Sequence, residues 1–130
     1  AETAWLSKYQ EIKNLPTARP MNAESASQGE CVGYLGNDAD NYMEWRNVWS
    51  NTGGTYKLSF RYASAEDRNM NVKVNGKQVA SLTKLNSNDY TRFWKTATVT
   101  VKLKKGMNKV SLGCTNGFAP NIDKMTLKKI

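Results

Sequence analysis

The sequence predicts an all-β protein, a sandwich or barrel of antiparallel strands, on three observations. Apolar and polar residues alternate along most of the chain, turn residues recur between the alternating runs, and amphipathic helical periodicity is almost missing. At 130 residues the chain suits one domain with a real core, spanning 1–130, and is too short for two.

The elements follow in order. The chain opens on a strand-like run in which Glu2, Ala4 and Leu6 share a phase. Lys8 to Leu15 could form a turn or two of helix, with Tyr9, Ile12 and Leu15 on one side. Between Asn41 and Val48, Met43 and Trp45 share a phase, which marks Trp45 as a core residue. Gly53-Gly54 turns into a strand whose Tyr56, Leu58, Phe60 and Tyr62 alternate with Lys57, Ser59 and Arg61. Asn75-Gly76, set between two short strands, predicts a two-residue hairpin, because both turn residues tolerate positive φ. Ala97, Val99, Val101 and Leu103 then alternate with Thr98, Thr100 and Lys102. After the Lys105-Gly106 turn come Val110 and Leu112, and finally Met125 and Leu127. One apolar and one polar face per run is the pattern of antiparallel sheets with one solvated side.

The 19 Lys and Arg outnumber the 11 Asp and Glu, a net charge of +8. Such a surface favours anionic partners, or is simply a solvated basic face. Many of the lysines alternate with core residues on strands, where an exposed sheet face puts them. No apolar run approaches the roughly 20 residues of a membrane helix. The first residues lack the basic and apolar regions of a signal peptide; if the protein is exported, either a signal was cleaved upstream or, as the abrupt strand-like start favours, the chain was excised from a larger one. Cys31 and Cys114 allow either one disulfide or two buried thiols.

Catalytic options are few. With no histidine in the chain, the usual Ser-His and Cys-His pairs and the familiar zinc constellations cannot be built. No phosphate-binding glycine loop is present, and no acid stands out beside a cleft-forming loop. A non-catalytic role is therefore expected.

Trp94 stands apart from the other tryptophans. It falls in the phase of Thr96, Thr98 and Thr100, opposite the buried set, and follows the polar stretch Asn86 to Arg92. An indole off the core face at a loop end suits the apolar C–H face of a sugar. Glu2 and Asp123 are the two acids that run in an inward phase. Such a carboxylate needs compensation, by calcium for example, or else sits at a wet, fraying strand end.

Several segments taken together resemble carbohydrate-binding modules of families 35 and 6. These are Ala1 to Ala4, Cys31 to Asn37, Asn51 to Ala63, Val72 to Lys77, Phe93 to Val101, Lys104 to Val110 and Gly117 to Met125. Their order and spacing carry the resemblance. It implies a jelly-roll β-sandwich of two antiparallel sheets that binds a polysaccharide and tethers a covalently linked glycoside hydrolase or lyase. It also implies a secreted, periplasmic or cell-surface location, and neither a nucleic-acid nor a membrane partner. A structural Ca2+ would be held by Glu2 and Asp123, and incompletely so, since members often carry a further ligand ahead of the Glu2 position. The sugar would lie between Trp94 and Tyr34, with Asn121 hydrogen-bonding its hydroxyls. Galactosides, uronates, mannans and xylans are the sugar classes the resemblance leaves open. A structural or adhesive sandwich with no live sugar site is the competing expectation.

Overall fold

The computed structural model describes residues 5–7, 18–22, 30–37, 40–90, 92–93 and 95–130. The possible helical turns between Lys8 and Leu15 lie outside the described residues. Ten strands are formed: β1 (Trp5–Leu6), β2 (Arg19–Asn22), β3 (Glu30–Gly33), β4 (Met43–Ser50), β5 (Gly54–Ala63), β6 (Arg68–Val74), β7 (Lys77–Leu85), β8 (Lys95–Leu103), β9 (Gly106–Gly113) and β10 (Asn121–Lys129). They build two five-stranded sheets, β1-β4-β9-β6-β7 (sheet A) and β2-β3-β10-β5-β8 (sheet B). All pairings within them are antiparallel. The expected β-sandwich is what the chain forms.

The core lies between the sheets and comes from the alternating sets. Leu58, Phe60 and Tyr62 of β5 meet Val72, Val110 and Leu112 of sheet A in one buried cluster. Ala97, Val99, Val101 and Leu103 of β8 join it, while Thr96, Thr98 and Thr100 are exposed. Trp45 is half-buried and stacks on Phe60 at 6.1 Å between ring centroids. Asn75 and Gly76, with φ of 52° and 85°, make the predicted hairpin between β6 and β7. Both cysteines are buried and are not joined in a disulfide, which decides the open choice for buried thiols. Among the described residues, no helix is long and apolar enough to cross a membrane.

Connectivity gives the sandwich two unlike ends. β5 ends and β6 and β10 begin at one of them, which carries the long loops. β4 and β8 end and β9 begins at the other, among short turns.

Candidate functional site

At the long-loop end, Met21, Tyr34, Arg68, Tyr90, Phe118 and Asn121 line a cleft of about 390 Å³. Each wall has a local cause. Tyr34 follows β3 with φ of 58°, a left-handed conformation that a bulky residue adopts at a cost. Asn41, 3% exposed, holds it there. The Asn41 Nδ2 donates to the carbonyls of Tyr34 and Gly36, both at 2.8 Å, and its Oδ1 accepts from the Ala18 N–H at 2.9 Å.

The Tyr34 loop is laced to the loop after β9. Asn37 N–H donates to the Gly117 carbonyl at 2.8 Å, and Ala119 N–H to that of Leu35 at 2.7 Å. Gly36 lies between them at φ 94°, where a Cβ would come within 2.9 Å of the Cys114 Cβ and 3.1 Å of the Ala119 nitrogen. This lacing sets the Tyr34 ring edge-to-face with Phe118, 6.0 Å apart at 81°. Tyr34 is 42% exposed.

The opposite wall is polar. Ser64 and Ser87 exchange hydrogen bonds, Ser64 N–H to the Ser87 Oγ and Ser87 N–H to the Ser64 carbonyl, and fasten the β7–β8 loop to the end of β5. Tyr90 projects from that loop. Its hydroxyl donates to Glu66 at 3.0 Å, and the Arg68 guanidinium lies 4.8 Å from its ring centroid. Arg68 also donates to Glu66 at 3.0 Å and to the Ala119 carbonyl at 3.2 Å. Arg68 and Tyr90 hold the Glu66 carboxyl below its ordinary range, chiefly by hydrogen bonding. Burial, then the bond to Glu66, pushes the Tyr90 phenol up.

The sequence-derived residues fare unequally. Tyr34 and Asn121 meet at this cleft. Asn121, only 8% exposed, donates through Nδ2 to the Tyr90 carbonyl at 2.9 Å, so it ties two distant loops together. An amide has more valences than that one. Trp94 and Glu2 lie outside the described residues. In the strand that follows Trp94, Thr96, Thr98 and Thr100 are exposed.

Asp123 is fully buried, which removes the wet-end alternative for it. It is compensated by Arg61, whose Nη1 donates to Oδ2 at 3.1 Å. As a calcium ligand it therefore fits only in part, since its charge is shared with a guanidinium. Among the described residues no three acids or cysteines group as a metal site. Sequence reading missed Asn41, Glu66, Arg68, Tyr90 and Phe118. Polar and aromatic residues in loops have no period to mark them, and their meeting is a matter of long-range pairing.

Comparison with known proteins gives four informative matches. Residues 16–129 match the family described as carbohydrate binding module (family 6). The chain is 33% identical over 114 residues to an exo-beta-D-glucosaminidase from Amycolatopsis orientalis, an alignment covering 80% of this chain and 11% of that protein. It thus spans about a tenth of that relative's length. It superposes on a family 35 carbohydrate binding module from Clostridium thermocellum with a TM-score of 0.81 at 26% identity, over 98% of this chain and 99% of the other. An exo-beta-1,3-galactanase from Phanerochaete chrysosporium shares the fold, with a TM-score of 0.81 at 24% identity over 98% of this chain and 28% of that one.

Proposed function

Because the chain belongs to the family 6 carbohydrate-binding modules, we propose that it binds one short stretch of glycan in the cleft between Tyr34 and Tyr90. Carbohydrate binding is its function at the level of the family; the site, the enzyme it serves and its export are the proposal. The observation that carries the site is the 42% exposed Tyr34, fixed in a left-handed turn at the rim of a cleft with Asn121 in its wall. The cleft lies within the roughly 300–1,000 Å³ of small-ligand sites. A tyrosine ring offers an apolar face to the C–H side of a pyranose, while Asn121 and Arg68 offer hydrogen bonds to its hydroxyls.

Trp94 belongs to the proposal as a second ring, on its phase in the β8 run. The module itself turns nothing over; it keeps a linked polysaccharide-degrading enzyme on an insoluble substrate by raising its local concentration. With so few groups in contact, Kd is on the order of micromolar to millimolar. Such linked enzymes work outside the cytoplasm, which makes this a secreted or surface module. A structural calcium ion held by Glu2 and Asp123 completes the proposal; it would supply a hard cation for carboxylate oxygens near the two chain ends.

Affinity electrophoresis through neutral galactan, mannan and xylan tests the site. Wild-type protein is expected to be retarded by at least one of them. Tyr34→Ala is expected to lose at least tenfold in affinity with its melting temperature nearly unchanged, and Asn121→Ala to lose affinity as well. Undiminished retention in both variants would sink the cleft. For the metal, melting with excess calcium is expected to exceed melting with chelator, because a ligand of the native state stabilises it. Identical curves would remove calcium.

A further inference from the structure

Lysines that the sequence distributes over the C-terminal half are gathered by the strand order β10-β5-β8 onto one surface. The outer face of sheet B carries cross-strand rows. Lys128 stands opposite Lys57 and Lys57 opposite Thr100; Thr126 stands opposite Ser59 and Ser59 opposite Thr98; Lys102 stands opposite Thr55. Lys124 completes the face on β10, opposite Arg61. Lys57, Lys102, Lys124 and Lys128 are all exposed, as are Thr98, Thr100 and Thr126. None of these four lysines makes an ion pair with a described residue. Asp123, the acid of β10, is fully buried and is bonded to Arg61.

Two features point to a ligand. Like charges directly opposite each other destabilise a sheet, and the fold gains nothing from Lys57 facing Lys128, since the neighbouring row has Thr126 facing Ser59 in the same geometry. An anion lying across β10 and β5 would turn that repulsion into binding. Secondly, hydroxyls are interleaved with the ammonium groups. Directly opposed side chains stand about 5 Å apart and diagonal ones about 7–8 Å, and Lys124 and Lys128 are separated by about 13 Å along the strand.

That spacing decides the class of ligand. Duplex DNA carries a charge every ~1.7 Å, far denser than these lysines, and its phosphates offer only acceptors. Single-stranded nucleic acid needs aromatic platforms, but Tyr56, Phe60 and Tyr62 of β5 are buried. A glycan with one carboxylate per sugar presents sparse charges with hydroxyls between them, as this face does.

We infer that the outer face of sheet B, through Lys57, Lys102, Lys124, Lys128 and the Ser and Thr hydroxyls between them, is a second binding surface for a linear acidic polysaccharide of uronate type. It is separate from the cleft and does not depend on the reading given to it.

Polygalacturonate is the probe, in affinity gels containing EDTA so that calcium cannot bridge polymer and protein, each normalised to a polymer-free gel. Wild-type protein is expected to be retarded, and the fully methyl-esterified polymer to have no effect. The triple variant Lys57→Gln, Lys102→Gln, Lys128→Gln is expected to bind roughly tenfold more weakly, with an unchanged melting temperature. A matched charge control, Lys73→Gln, Lys77→Gln, Lys109→Gln, alters exposed lysines of sheet A and is expected to bind as wild type. Tyr34→Ala is also expected to bind polygalacturonate normally, which separates a failure here from a failure of the cleft. Equal losses in the two triple variants, no loss in the first, loss in Tyr34→Ala, or equally tight binding of an oligothymidylate would each overturn the inference.

Discussion

The two ends of this sandwich are each organised by a buried asparagine, and they do opposite things with it. At the short-turn end Asn108, 1% exposed, donates to the carbonyls of Val48, Lys104 and Gly106 at 3.2, 3.0 and 3.1 Å and accepts from Lys104 N–H and from Asn75 Nδ2, both at 3.0 Å. Those bonds draw three chain segments together and close the end. At the long-loop end Asn41 makes the same kinds of bond to Tyr34, Gly36 and Ala18, yet beside it a cleft stays open. The difference lies in what the clamped segment carries. Asn108 ties turns to strand ends, whereas Asn41 holds a tyrosine in a conformation it would otherwise avoid. One amide supplies stability, and the other supplies stability and a wall of the cleft.

The largest effect expected from this comparison comes from removing the two amides. Asn108→Ala leaves several buried carbonyls and an N–H without partners and should cost about 3 kcal/mol, a fall of roughly 10 °C in Tm. The protein that remains folded should bind glycan as before. Asn41→Ala should cost about 2 kcal/mol and should also lower glycan affinity at temperatures where the fold is intact, because Tyr34 loses its anchor. Thermal melts paired with affinity gels make the comparison; equal binding losses in the two variants would erase the distinction between the ends.

The smallest effect is on pH dependence, which sharpens the comparison at the cleft alone. The Glu66 carboxyl sits below its ordinary value of 4.5, held first by its hydrogen bond from Arg68. Its contribution is therefore present above 4.5 and lost as pH falls through the lowered value. The Tyr90 phenol sits above its ordinary 10.0, raised first by burial. Its contribution is full below 10.0 and lost as pH rises through the raised value. Glycan affinity should be flat between those limits, and Glu66→Gln should shallow the acid limb. A loss of affinity near neutrality, measured across a pH series of affinity gels, would show that other groups control the cleft.

Much of the fold was legible because a strand writes its two faces into the sequence at period two. β5 and β8 buried the residues that alternation selected, and Asn75-Gly76 formed the predicted hairpin. Trp45 packed on the core by its phase, while Trp49, also on β4, came out 58% exposed beyond the irregularity between Trp45 and Val48. A bulge resets the phase, and no local signal announced it. The site was legible in part. Tyr34 and Asn121 came from the family resemblance, whereas Arg68, Tyr90 and the Arg61–Asp123 pair had no signature, since each is made by residues tens of positions apart.

The sequence by itself determined that this chain is all-β, which residues of β5 and β8 face inward, and that histidine-dependent chemistry is closed to it. Only the tertiary structure decided that Lys57 and Lys128 face each other, that Asp123 is neutralised by Arg61, and that Tyr34 and Tyr90 share a cleft. The physical reason is range: inward and outward are fixed by the pleat of one strand, but neighbours across a sheet or between loops are fixed by pairings that the burial of the whole core selects.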